Sequence, residues 1–235
     1  SAYVCRGEAR SRVILTSYPC PLPDGSNAAE YAFGFDRNGS QRLLIVPALF
    51  DEGHRMRRLC VDVMRRLDGS GITSFLPDLP GTNESMANLF RLSLDDWAAA
   101  VSSAANHFRA SHVLAIRGGG LLAPPGLPGW IYGPVKGESL LRTMVRARVL
   151  ASQEAGREER GESLLVQGQE QGVELAGYLL SAAMAQQLQA AQPAALPEIA
   201  QDLIEGSPLW LRAEPETDAD QADALATYIA MAMRA

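Results

Sequence analysis

Lysine and histidine are nearly missing from this chain of 235 residues: lysine occurs once, at Lys136, and histidine three times, at His54, His107 and His112. Arginine carries the remaining positive charge, and with 21 basic against 27 acidic side chains the net charge is −6. A chain of that sign without a basic stripe lacks the field needed to grip a phosphate backbone, so nucleic acid is excluded as the expected partner. The cysteines, Cys5, Cys20 and Cys60, are odd in number and never in CxxC spacing. Neither a disulfide framework nor a thiolate zinc site is expected, and the thiols should be reduced. No apolar run approaches the roughly 20 residues of a membrane span. The first dozen residues, with Arg6, Glu8, Arg10 and Arg12, hold no signal-peptide core. A cytoplasmic address is the expectation. The preference for arginine over lysine, with abundant alanine, is what a GC-rich bacterial genome writes, and it says nothing about activity.

What the chain does have is a hydrophobic share of 47% and a charged share of 20%, the proportions of an ordinary globular domain. Two strands near 12–18 and 29–36 read as a hairpin, because turn residues cluster between them. The branched run 42–47 has the look of a strand buried on both faces. An amphipathic helix over 54–67 follows, then a strand at 72–77, a helix over 94–108 capped by Ser93, and a strand at 112–116. Two strand–helix–strand units with a period of about 30 residues predict a doubly wound, mostly parallel sheet with helices on both faces. After Arg117 the glycines 118–120 begin a helix that Pro124, Pro125 and Pro128 must cut short. A strand at 130–133, a helix over 138–160, a pair of short strands at 164–166 and 173–175, and a helix over 181–191 come next. Residues 193–197 read as a connector, 208–213 as the last strand and 219–233 as the closing helix. The expectation is one α/β domain over 1–235, with 138–190 as a cap-like helical excursion.

Ligand crevices in open parallel sheets lie beyond the carboxyl ends of the strands, so the turns there carry the information. Leu76-Pro77-Asp78-Leu79-Pro80-Gly81-Thr82-Asn83-Glu84-Ser85, preceded by Pro47 to His54, resembles the α/β-hydrolase fold. That likeness implies that the loop after the 42–47 strand supplies an oxyanion-hole amide. More narrowly, the run Asp51 to Arg58 and the later Val173-Glu174-Leu175-Ala176-Gly177-Tyr178-Leu179-Leu180 resemble the exosortase A system-associated hydrolases, in their second subtype. The resemblance spans 42–218, and the second run is its specific part. It implies a bacterial setting in exopolysaccharide production and protein sorting.

An α/β hydrolase keeps its nucleophile in a G-x-S-x-G turn between strand and helix. The aligned stretch is Ala115-Ile116-Arg117-Gly118-Gly119, with arginine in the serine's place. A guanidinium stays protonated and cannot attack a carbonyl. The fold's chain order also demands a histidine after the last strand, and all three histidines precede the elbow. The expected function is therefore non-catalytic: binding of a small molecule or protein partner by the crevice residues Phe50, Asp51, Glu52, His54, Arg117, Gly118, Gly119 and Glu214. No catalytic residue, metal or cofactor is assigned, and a homodimer is compatible with the sequence. The alternative is an ester or thioester hydrolase with an unconventional nucleophile, for which Ser85 and Ser139 are the rim serines. A third class, a structural dimer module, would have Leu121, Leu122 and Trp130 filling the crevice. For Arg117 two roles stand open: an ion pair with Asp51, Glu52 or Glu214 that holds the turns together, or an anion site at a glycine-rich helix start.

Overall fold

The computed structural model describes residues 12–212 and 214–234. Strands β1 (Arg12–Pro21) and β2 (Asn27–Asp36) pair antiparallel as the expected hairpin. The parallel part consists of β3 (Arg42–Val46), β4 (Thr73–Pro77), β5 (His112–Ile116) and β6 (Gly129–Tyr132), joined by α1 (Asp51–Gly69) and α2 (Leu94–His107). Then come α3 (Gly137–Glu154), α4 (Gly161–Gln171), the small hairpin β7 (Val173–Leu175) and β8 (Tyr178–Leu180), and α5 (Ala182–Ala190). β9 (Glu198–Ile199), α6 (Gln201–Ile204) and α7 (Ala219–Ala232) complete the chain, and the main sheet runs β1-β2-β4-β3-β5-β6-β9.

The sheet divides the apolar interior in two. Leu44 and Val46 of β3 face one core with Trp97, Val101 and Ala104 of α2 and with Leu140, Leu141 and Met144 of α3. Leu43 and Ile45 face the other, against Met56, Cys60 and Val63 of α1 and Leu225 and Ile229 of α7. Burial on both sides is why β3 reads as an unbroken apolar run from Leu43 to Val46 instead of an alternating one. Ser93 and Asp96 close a reciprocal capping box at the start of α2.

Three expectations need correction. Residues 164–166 lie within helix α4; an apolar run that short carries no period that separates strand from helix. The helix expected over 138–160 ends at Glu154. The last parallel strand is β9, next to the expected connector, and 209–211 form a 3₁₀ turn. Pro208 has no N–H for a ladder, and Trp210 packs edge-on against Tyr132, so burial of the indole outweighed the strand preference of 208–212. Ala213 lies outside the described residues.

The helix after β5 is as short as the prolines demanded: only a 3₁₀ turn, Arg117–Leu121. Gly119 lets that turn pass beneath β3, since a Cβ there would stand 2.6 Å from the carbonyl oxygens of both Val46 and Pro47.

Candidate functional site

β5 delivers Arg117 to the carboxyl edge of the sheet. Ile116 is still extended, and Arg117 then turns into the left-handed region at φ 51°, which a non-glycine residue adopts only under constraint from its surroundings. Its side chain rises to the level of the α1 N-terminus, where Glu52 sits in the first turn. Arg117 Nε donates to Glu52 Oε2 at 3.1 Å and Nη2 to Oε1 at 3.0 Å, a bidentate fork, while Nη1 donates to the Gly133 carbonyl at 2.8 Å. The Trp210 ring lies 4.3 Å from the guanidinium carbon. The two charged side chains keep only 13% and 17% of their exposure.

Of the three acids expected to meet Arg117, Glu52 does. Asp51 pairs with Arg55 at 3.6 Å. Glu214 is exposed and, among the described residues, forms no ion pair; its expected place at the end of a last strand disappears with that strand. An incoming anion would have to displace Glu52 to reach the fork.

Phe50, also at positive φ (56°), starts α1 and points into the crevice. Its ring stands 5.4 Å from Trp97 and 5.3 Å from Tyr178. Tyr178 arrives on the β7–β8 hairpin, whose two turn residues, Ala176 at φ 49° and Gly177 at φ 81°, give the left-handed pair that tight hairpins favour. A cavity of about 270 Å³ opens here, with Arg117 and Glu52 on its wall. Beside it a space of about 140 Å³ is bordered by His54, Trp97 and Tyr178. Burial, followed by the Asp51 charge, pushes the Tyr178 phenol up to about 12, so at neutral pH it is a hydrogen-bond donor. Leu49 packs directly on Gly118: a Cβ at that glycine would stand 3.0 Å from Leu49 Cγ.

No imidazole reaches Arg117. His54 is exposed at the rim, and His107 lies in the last turn of α2. His112 stacks on Trp130 at 5.7 Å, at the other end of β5 from Arg117, and burial lowers its pKa. Ser85 donates to the buried Glu30 at 2.7 Å and accepts from the Gly81 and Ala87 amides, which makes it the pin of its own turn. Ser139 sits in the first turn of α3. Leu121, Leu122 and Trp130 do not line the 270 Å³ cavity. Among the described residues no His, Cys, Asp and Glu group has metal-binding geometry, and no helix is long and apolar enough to cross a membrane. Two contributors were missed in the sequence. Trp210 was read as a strand residue, and Tyr178 was quoted within a motif without a role; both were legible only as large aromatics near strand ends.

No protein-family model matches the chain, and no curated protein is similar to it in sequence. Solved structures do match. A putative hydrolase from Agrobacterium vitis S4 superposes with a TM-score of 0.50 at 10% identity, over 76% of this chain and 72% of that one. Est1E from Butyrivibrio proteoclasticus, solved with ferulic acid bound, gives 0.48 at 14% identity over 80% and 74%. A predicted CIB-like hydrolase from Thermoplasma acidophilum gives 0.47 at 11% identity over 95% and 99%. The strand order and the first of these likenesses show an α/β-hydrolase-like fold.

Proposed function

We propose that this chain is a non-catalytic protein of the α/β-hydrolase fold that binds a small molecule or a protein partner in the crevice above Arg117. The observation that carries the reading is the occupant of the elbow: a guanidinium held by Glu52, the Gly133 carbonyl and Trp210 stands where the fold keeps its nucleophile. Nucleophilic catalysis needs a group that can lose a proton and a base to take it, and the elbow offers neither. Leu49 against Gly118 supports the same reading, because it covers the turn beside which an oxyanion would be held. Nothing at Ser85 or Ser139 favours the alternative of an unconventional nucleophile, since Ser85 is committed to its turn. A cytoplasmic address belongs to the proposal. So does the exopolysaccharide or exosortase setting, which is supported by the 173–180 run alone and is tested by the identity of the neighbouring genes. The direct test is turnover of short-chain p-nitrophenyl esters and acyl thioesters. The expected rate is that of buffer. An enzyme-like rate that Ser85→Ala or Ser139→Ala abolishes would overturn the proposal in favour of the hydrolase.

A further inference from the structure

The charged groups on the wall of the 270 Å³ cavity are already spent on one another. Arg117 is paired with Glu52 and Arg55 with Asp51, so two cations and two anions cancel. Arg55 also donates to the Trp210 carbonyl at 3.1 Å, and Thr143 donates its hydroxyl to the Ser139 carbonyl at 2.9 Å. Among the described residues, the two neutral donors on this wall that make no hydrogen bond are the Tyr178 hydroxyl, at the tip of the β7–β8 hairpin, and the Trp210 indole N–H, while Asp51 is held only by its ion pair with Arg55. The rest of the lining is apolar, chiefly Leu49, Phe50, Leu140, Met144 and Trp210.

From this we infer that the cavity takes a small, uncharged, largely apolar molecule carrying a hydrogen-bond acceptor, such as a ketone or ester oxygen, which Tyr178 binds through its hydroxyl. The inference rests on the crevice being a binding site and adds the class of the ligand. A carboxylate or phosphate is disfavoured because every guanidinium it could meet already holds a carboxylate, and burying a further unpaired charge costs far more than the contact returns. A cationic ligand meets the same obstacle from Asp51 and Glu52. The volume is at the low end of small-molecule sites, which sets the size. The backbone supports a site kept in shape for a purpose: Phe50, Arg117 and Ala176, three non-glycine residues at positive φ, all border this one cavity.

The test uses two naphthalene probes of opposite character with the whole protein. Prodan is a neutral naphthyl ketone, and anilinonaphthalene sulfonate is an anion. Prodan should bind saturably with blue-shifted emission, and the sulfonate should not displace it. Ala147→Trp, on the exposed rim of the cavity, should abolish prodan binding without altering the unfolding transition. Tyr178→Phe should weaken it roughly 3- to 10-fold, the worth of one hydrogen bond. If the sulfonate binds at this site more tightly than prodan, or if Tyr178→Phe changes nothing, the ligand class is wrong while the crevice remains a binding site. If neither probe binds in a way that Ala147→Trp abolishes, the inference and the binding reading on which it stands both fail.

Discussion

Replacing Arg117 with serine puts at the end of β5 the residue type that an active elbow would carry, and on the proposed reading the result is a weaker protein with no new activity. The change removes both arms of the fork to Glu52, the bond to the Gly133 carbonyl and the contact with Trp210. It leaves Glu52, 17% exposed, without its cation. Breaking a fully buried pair by removing one partner costs about 3–5 kcal/mol, and the cation–π contact about 0.5–2 kcal/mol. Residual solvent around Glu52 and water entering the vacated space offset part of this, so about 2–4 kcal/mol is expected. A double-mutant cycle isolates the pair from the packing. Glu52→Leu alone should also destabilise, because it strands the guanidinium. With Arg117→Met as the other single variant of the cycle, combining Arg117→Met and Glu52→Leu should recover to within about 1 kcal/mol of the parent, since buried pairs are often replaceable by apolar residues of similar volume. Urea unfolding followed by circular dichroism measures each corner, provided the m-value is unchanged. Two results refute the reasoning: Arg117→Ser within about 0.5 kcal/mol of the parent, or a double variant as unstable as the two single losses added together. The first would mean that the fork contributes nothing in solution, the second that the two side chains are energetically independent.

Other consequences are simpler to check. Gly119→Ala should destabilise by about 3 kcal/mol or prevent soluble expression, as its methyl group would meet two carbonyl oxygens at 2.6 Å, and yield with thermal melting decides it. Ala176→Gly should raise stability by up to about 1 kcal/mol in urea, because an alanine at φ 49° costs about 1–2 kcal/mol and glycine returns part of that through the flexibility of the unfolded chain. In a Cys5→Ser background the folded protein should resist alkylation at pH 8. Burial pushes the thiols of Cys20 and Cys60 up to about 12, so at pH 8 both remain protonated and unreactive, and mass spectrometry should find two adducts only after unfolding.

What could be read from the sequence was whatever physics leaves as a period or a punctuation mark. Leu43 to Val46 announced a doubly covered strand, Ser93 announced a helix start, and Pro124 and Pro125 limited the turn after β5. The place of Arg117 just after β5 was visible for the same reason, because the following glycines and the preceding strand fix its register. The rest depended on distance in space. The partner of Arg117 was narrowed to three acids, and the choice among them depends on how α1, entered through Phe50 at φ 56°, sets Glu52 over the fork, while Asp51 meets Arg55 one turn along the same helix. Glu214 was misplaced because Trp210 looked like a strand residue, and its burial against Tyr132 is a tertiary event that no local window contains. Tyr178 could not be given a role before the hairpin at Ala176-Gly177 was seen to aim it at Phe50.

The turn that replaces a helix after β5 also bears on how the chain folds. A full helix there would have covered its own neighbouring strand with residues only a few positions away. Instead the Gly120 carbonyl accepts a hydrogen bond from Ala194, and Ile131 donates to the carbonyl of Pro197. The cover for this part of the sheet is therefore borrowed from a segment made roughly 70 residues later, and closing a loop of that length is an entropic toll that must be met before those contacts reward it. β6 can pair with β5 from a neighbouring segment, whereas its outer edge waits for β9 until the chain returns from its excursion through α3, α4 and α5.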